Sequence, residues 1–548
     1  MAYRNPRTHL ATHEVTNQPG ALEDVNLFTG DDILQSACDW SGAGVHAARL
    51  GAFGAQVGAA ETQALAVQAN RTPPLLLTYD RFGRRIDEVE FHPAYHQLMA
   101  LGLGAGVSAA AWNVPQAGHA LHAALLFLMG QADYGVCCPM SMTYAVVPAL
   151  RAEPEVAAEW GPRVAAETYD PRSIPAAEKR AATMGMAMTE KQGGSDVRAN
   201  TTRAERQADG AYRLVGHKWF CSAPMSDAFL TLAQTDAGLT CFLVPRWRPD
   251  GARNEIEIQR LKDKLGDRSN ASAEIEYHGA FAVRVGEDGR GVRTIIEMVQ
   301  LTRFDCIIGS ATQMRQAAML AAWHLEGRSA FQRRLIDQPL MRAVLADLAL
   351  EVEASVALAF RLARALDRAA GDPQEAAIAR IGMTLAKYLV TKRAPSVVAE
   401  AMECLGGSGY VEEAPLARLF RQSPLNAIWE GSGNVIALDL LRALQREPEV
   451  REALIGDIRA AASGESRLGA AATEAEHLLS APIADAAARH AVERLALAFA
   501  AATLVRHAPP AVADGFAARR LQAPSLTFGA GQGAIDEDAI IARAALKA

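Results

Sequence analysis

Along most of this chain apolar residues return every three or four positions, the period of a helix with one buried face. In one stretch of about a hundred residues they alternate instead, as in strands. Ser41 to Val67 is rich in small apolar residues with few charges, which predicts a closely packed helix pair. The Ala, Leu and Phe run from Ala120 to Met129 predicts a helix buried on most sides. Tyr79 to Phe91 interrupts the period: Gly83 among charged residues predicts a turn, with Asp87, Val89 and Phe91 leading into another helix. The texture changes near Met184. Asp209-Gly210 lies between β-compatible residues, a hairpin signal, and short runs begin at Ala228, Leu239, Asn254 and Ala271. Four to six strands are expected, as a small antiparallel β-domain.

After Gly291 the helical period returns. A long helix follows at once, and a second ends near Gly371-Asp372-Pro373. A third spans about Pro373 to Leu405 and stops at Gly406-Gly407; a fourth starts just after Gly431-Ser432-Gly433 and stops before Pro448. Four long amphipathic helices with short connections predict a four-helix bundle. The last hundred residues are Ala-rich and helical, with a loop-like FGAGQG near the end. The expected organisation is an N-terminal helical domain (1–185), a β-domain (186–290), a four-helix bundle (291–447) and a C-terminal helical domain (448–548).

A length of 548 residues demands several cores, and half the residues are apolar but only 6% aromatic, as in helix-rich proteins. The net charge of −7 gives no global reason to bind nucleic acid or an anionic membrane. Seven cysteines without a C-x-x-C pair read as packed thiols in a reducing compartment. The run Leu495 to Val505, bracketed by Arg494 and Arg506, falls short of the ~20 residues a bilayer span needs. With no apolar signal region in the first fifteen residues, a cytoplasmic protein without membrane attachment is expected. The histidines show no metal-ligand spacing, and LGLGAG (Leu101 to Gly106) follows no strand, so neither a metal nor a dinucleotide site is expected there.

Three segments carry candidate chemistry. In MTEKQGGSDV (Met188 to Val197) Gly193, Gly194 and Ser195 offer close backbone approach and a hydroxyl; read cold, it is also an ordinary polar loop. In HKWFCSAP (His217 to Pro224) an aromatic and Ser222 suit a planar ring, or simply a core. In NAIWEGSGNVIALDLL (Asn426 to Leu441) Glu430 precedes a Gly-Ser-Gly loop that opens a helix, with free amides for a polar ligand. Glu430 is a general base in a dry pocket, or a surface acid near a helix start.

Taken together, these segments resemble the acyl-CoA dehydrogenase family. MTEKQGGSD is similar to its flavin-binding M-T-E-P-x-x-G-S-D, and WFCS to its W-I-T/S. LGGSGYVEEAPLARLFRQ (Leu405 to Gln422) and IWEGSGN are similar to L-G-G-x-G-Y-x-x-x-x-P-x-x-R-x-x-R-D and I-Y-E-G-T, in the same order. The resemblance implies bound FAD. Thr189, Gly194 and Ser195 would contact the flavin and its pyrophosphate side, with Met188 and Gly193 flanking them. Phe220 falls where the family has a Trp beside the ring, Ser222 where a hydroxyl bonds near N5, and Cys221 lies between. Ile428, Trp429, Gly431, Ser432, Gly433 and Asn434 complete the implied cofactor set around Glu430, the implied base for the α-proton of a thioester. Arg328 and Phe331 resemble the R-x-x-F that reaches a neighbouring subunit's FAD, as does Gly406-Gly407, which implies a homo-oligomer, usually a tetramer.

The departures are Lys191 for the loop Pro, Ala223 for Asn, Gln422 for Asp and Gln332 for the Gly after Phe331. Thr302 stands where the isovaleryl-type branch carries an alternative base, leaving Glu430. The departures, RLKDKLGDRSNAS, LTRFD and YDRFGRRIDEVEFHPAYH resemble the AidB branch, flavoproteins of the alkylation-damage response. That branch implies binding of double-stranded DNA through the C-terminal domain, with weak or residual acyl-CoA dehydrogenation. Residues 441–548 hold 12 basic against 13 acidic residues, so charge does not add support; Arg442, Arg446, Arg451, Arg519 and Arg520 could still share one face, although such a scatter is more often a solvated face. An ordinary metabolic acyl-CoA dehydrogenase and a non-catalytic flavin-stabilised scaffold are the alternatives.

Overall fold

The computed structural model describes residues 6–463, 466–522 and 524–547. The chain forms two compact units, Ala64–Asp305 and Met1–Gln63 with Cys306–Ala548.

In the first unit the helix Gly118–Gly130 is buried along its length from Ala120, as its uniform apolar run requires. The expected turn at Gly83 (φ +79°) and the helix after it, Pro93–Gly104, are present, but the turn joins two strands that were not expected, the antiparallel hairpin β1 Leu75–Tyr79 and β2 Arg85–Glu90. Tertiary contacts make it so. Leu76 and Val89 pack against the β-domain core, and Asp87 Oδ1 accepts the Ile258 N–H at 3.1 Å.

Seven strands build the β-domain, more than the expected four to six. They are β3 Met184–Ala187, β4 Arg203–Arg206, β5 Tyr212–Ser222, β6 Ala228–Thr235, β7 Gly238–Pro245, β8 Ile256–Leu261 and β9 Ser272–Arg284. The sheet order is β3-β6-β4-β5-β9-β7 with β8 on β9, and β7 also pairs with β6, so the sheet closes on itself. It is mixed, not purely antiparallel, because β3 runs parallel to β6. All four β3 residues are buried, so it shows no alternation. The Asp209-Gly210 turn joins β4 to β5 as expected, with Gly210 at φ +88° and Asp209 Oδ1 accepting the Ala211 N–H.

The expected bundle helices are Gly291–Gly327, Pro339–Arg368, Pro373–Cys404 and Gly433–Arg446. Asp372 caps the third, its side chain accepting from the Gln374 and Glu375 amides, and Pro373 sits in the first turn, where its missing N–H costs nothing. In the second unit, Pro373–Cys404 packs on Pro339–Arg368 and on Gly433–Arg446. Helix Ala488–His507 lies against Pro339–Arg368 and Pro373–Cys404, and Pro448–Ala462 against Pro373–Cys404. Among the described residues no helix is long and apolar enough to cross a membrane. All seven cysteines are free and buried.

One arrangement left open by the sequence, a single face shared by five arginines, is not formed. Arg519 and Arg520 share no surface with Arg442, Arg446 and Arg451: both are buried in the turn Ala517–Gln522. Arg520 pairs with Glu351 at 2.6 Å and Asp347 at 3.4 Å, and Arg519 donates to the Gly531 carbonyl. Replacing Arg520 with Met strands two buried carboxylates and should destabilise the protein by about 3–5 kcal/mol in denaturant unfolding. Arg446→Ala, at an exposed position, should stay within about 0.5 kcal/mol. Equal effects of the two would contradict this burial.

Candidate active site

The loop Met188–Ser195 hangs from a fully buried ion pair. Lys218, pointing inward from β5, reaches Glu190 Oε1 at 2.9 Å and the Leu232 carbonyl of β6 at 2.9 Å. Glu190 also accepts from the Thr201 N–H (2.7 Å) and hydroxyl (3.0 Å), the Thr202 N–H (3.2 Å) and Gln192 (2.8 Å). Burial raises the Glu190 pKa, but the Lys218 charge and the threonine donors outweigh it and hold the carboxyl at about 2. Burial pulls Lys218 below its ordinary value, and Glu190 offsets part of that. Within the loop a Cβ at Gly194 would collide with the Thr189 side chain, Gly193 sits at φ +141°, and the Trp219 N–H binds the Thr189 carbonyl at 2.8 Å. Gly193 and Ser195 are exposed; Met188 and Thr189 are half-buried. This tight glycine cradle with an exposed hydroxyl fits a phosphate-bearing cofactor.

The pairing of β5 with β9 shifts between Lys218 and Cys221, and this bulge sends Phe220 outward, 50% exposed. Lys262 stands 4.6 Å from the Phe220 ring centre and 3.3 Å from that of Trp219. Ser222 is half-buried. The Cys221 thiol faces the core, where burial pushes it up to about 12, so only its backbone is offered to a ligand.

Three departures from the family pattern have physical consequences. The Lys191 N–H donates to His217 Nε2 at 3.0 Å, a bond the usual Pro could not make. Ala223 and Gln332 have φ of +49° and +59°, the left-handed region that the usual Asn and Gly enter readily and other residues at a cost of about 1–3 kcal/mol. Gln422 is buried at the end of the helix Pro415–Gln422.

In the second unit Glu430 is half-buried in a braced loop before the helix Gly433–Arg446. Its own φ is +55°, and Gly431 follows at +101°. Lys387, on Pro373–Cys404, donates to the Trp429 carbonyl at 2.9 Å and the Gly431 carbonyl at 2.5 Å, one on each side of Glu430. The Trp429 indole N–H donates to Asn426 Oδ1 (2.9 Å), and Asn426 Nδ2 reaches Ser310 Oγ (3.0 Å). Ile428 is 65% exposed, Ser432 and Asn434 are exposed, and a Cβ at Gly433 would meet Lys392 Cε at 2.6 Å. Glu190, Lys218, Lys387 and Asn426 were not singled out from sequence. The available signal was a charge or amide on an otherwise inward-facing position.

Elsewhere in this unit Arg328 donates to the Asn17 carbonyl at 2.9 Å, beside the hairpin β10 Ser329–Ala330 and β11 Arg333–Arg334. At its tip Phe331 has φ +53° and is 88% exposed. Gly406 and Gly407 are exposed, with Gly406 at φ +59°.

Three family descriptions match in order. "Adaptive response protein AidB N-terminal domain" covers residues 17–171, "Acyl-CoA dehydrogenase, middle domain" 185–280 and "Acyl-CoA dehydrogenase, C-terminal domain" 289–445. The Escherichia coli (strain K12) protein named "Putative acyl-CoA dehydrogenase AidB" is 49% identical over 449 residues, 81% of this chain and 83% of that one. "Acyl-CoA dehydrogenase family member 11" of Caenorhabditis elegans is 33% identical over 74% of this chain and 67% of its own length. The crystal structure of C. elegans ACDH-11 in complex with C11-CoA has a TM-score of 0.83 at 27% identity, covering 94% of each chain. An acyl-CoA dehydrogenase of Bacillus anthracis complexed with FAD shares the fold, with a TM-score of 0.61 at 17% identity over 76% of each chain. The chain belongs to the acyl-CoA dehydrogenase family, in its AidB-like branch.

Proposed function

We propose that this protein is an FAD-dependent flavoprotein of the AidB type that removes hydrogen from the α and β carbons of an acyl-CoA thioester, with Glu430 as its base. The observation that carries the reading is the Glu430 loop: Glu430 held at φ +55°, with the carbonyls of its two neighbours, Trp429 and Gly431, fastened by one buried lysine. Such strain persists only where the surroundings over-determine it, as at functional sites. Thr189, Gly193, Gly194 and Ser195 would hold the cofactor's phosphates, and Phe220 and Ser222 its ring. When bound, FAD supplies the acceptor for the hydride that leaves the β-carbon. Glu430 takes the α-proton, which the thioester carbonyl has made acidic. The almost fully exposed Phe331 supports a homo-oligomer, a tetramer by family resemblance, in which this residue meets a neighbouring copy.

Protection of DNA from alkylation, with dehydrogenation weak beside it, is the finer part of the proposal. Its support is the AidB likeness, not charge. With Arg519 and Arg520 buried, Arg442, Arg446 and Arg451 are the exposed ones of the arginines first considered, Arg442 lying 3.8 Å from Asp439, while Arg459, Arg494 and Arg506 are tied to Glu476, Glu474 and Asp457.

Purified protein should be yellow, and Gly194→Val should weaken FAD affinity roughly tenfold or more (about 1.4 kcal/mol) by filling the cradle; a colourless protein that cannot be reconstituted removes the premise. Anaerobic addition of an acyl-CoA series should bleach the oxidised flavin, and Glu430→Gln should slow bleaching by roughly a hundredfold or more. Bleaching at an undiminished rate in that variant would refute the base assignment. For the DNA role, duplex affinity should fall steeply with salt and in the Arg442→Glu, Arg446→Glu, Arg451→Glu triple variant. Absent or salt-insensitive binding would leave the dehydrogenase reading alone.

A further inference from the structure

The Glu430 loop is held from outside itself. Lys387 lies in the middle of a 32-residue helix among apolar neighbours, Leu385, Ala386, Leu389 and Val390, and is only 1% exposed. Burying an ammonium is unfavourable unless strong acceptors meet it. Its acceptors include the Trp429 carbonyl at 2.9 Å and the Gly431 carbonyl at 2.5 Å. They flank the two left-handed residues, Glu430 and Gly431, and one donor group grips both, so the peptide planes before Glu430 and after Gly431 cannot rotate independently. Glu430 (φ +55°) and Gly431 (φ +101°) are consecutive left-handed residues, a conformation with little intrinsic preference for a carboxylate-bearing side chain. From the other side Asn426 receives the Trp429 indole N–H and donates to Ser310 on the Gly291–Gly327 helix, both residues being fully buried.

We propose that Lys387 is the positioning residue of the base: its ammonium clamps the Trp429 and Gly431 carbonyls, sets the left-handed backbone at Glu430 and so aims the carboxylate at the proton it removes. The inference rests on Glu430 being that base. Lys387 is 1% exposed and acts on the base through the loop carbonyls. Its loss therefore slows proton removal while leaving thioester and FAD affinity in place. A small misplacement of a reacting group suffices to cost on the order of a hundredfold in rate.

The test uses the full-length FAD-loaded protein. Stopped-flow flavin reduction by C11-CoA is measured for the wild type, Glu430→Gln, Lys387→Met, Lys387→Gln and Lys387→Arg, and hydrogen exchange is followed across residues 425–436. Lys387→Met should lower the limiting reduction rate on the order of a hundredfold, with the C11-CoA dissociation constant and FAD content within about twofold. Exchange should quicken in the 425–436 segment and not across the rest of the Pro373–Cys404 helix. Lys387→Arg or Lys387→Gln, which keep a donor, should recover part of the rate. Lys387→Gln also serves if Lys387→Met does not fold. A wild-type rate and unchanged exchange in Lys387→Met, with Glu430→Gln still slow, overturns the clamp and leaves the base standing. A rate loss accompanied by equal loss of FAD or thioester binding, with exchange raised throughout the bundle, reduces Lys387 to a fold residue and also overturns it. Unimpaired reduction in Glu430→Gln removes the base reading, and the clamp with it. If C11-CoA reduces no form, unchanged exchange at 425–436 in Lys387→Met still overturns the clamp.

Discussion

A lysine taken wholly out of water has to be met by acceptors, and in this protein acceptors of Lys218 and Lys387 belong to the two candidate site loops. Lys218 joins Glu190 to the β6 backbone, and through Glu190 it gathers Thr201, Thr202 and Gln192 into one network. The loop that would receive the cofactor's phosphates therefore starts from a rigid point. An unpaired charge in its place would cost several kcal/mol, so the pair cannot be half made. Lys387 applies the same logic to the Glu430 loop, with two backbone carbonyls among its acceptors. Interior cations thus fix the conformation of surface chemistry.

This fixing matters because the sites use backbone conformations that do not hold themselves. Ala223, Gln332 and Glu430 all lie in the left-handed region without being glycine. In the resembling family pattern, glycine or asparagine serves at the first two places. Here the fold carries the strain: the Ala223 N–H is tied to the Ala271 carbonyl at 2.8 Å, and Glu430 lies between two anchored carbonyls. Lys191 shows the opposite case, in which a departure gains a hydrogen bond to His217 that proline would forbid.

What was legible in the sequence was local. The Asp209-Gly210 turn, the helix start at Pro373, the Gly193-Gly194 loop and the uniformly apolar Ala120–Met129 helix depend on neighbours within a few residues, and each is where the pattern put it. The hairpin β1–β2 was not legible, since its charged residues hide the alternation of Leu76 and Val89, which find their core in the β-domain. Nor was β3, whose four buried residues show no period and whose partner, β6, lies about forty residues away.

The amino-acid sequence by itself determined the family and the order of helical, β and bundle segments, and it named the residues proposed to meet a flavin and a thioester. Tertiary structure decided which charges are interior. Arg519 and Arg520 read like Arg442 and Arg446 along the chain, yet the first two are buried and the last two exposed. Arg520 is buried because Asp347, 173 residues earlier, is there to receive it. Lys387 likewise reads as a stray charge on an apolar helix until the Trp429 and Gly431 carbonyls, more than forty residues away, come to meet it. The reason is one of desolvation: a buried charge is tolerated only with its partners in place, and those partners are brought by the fold and not by the neighbouring sequence.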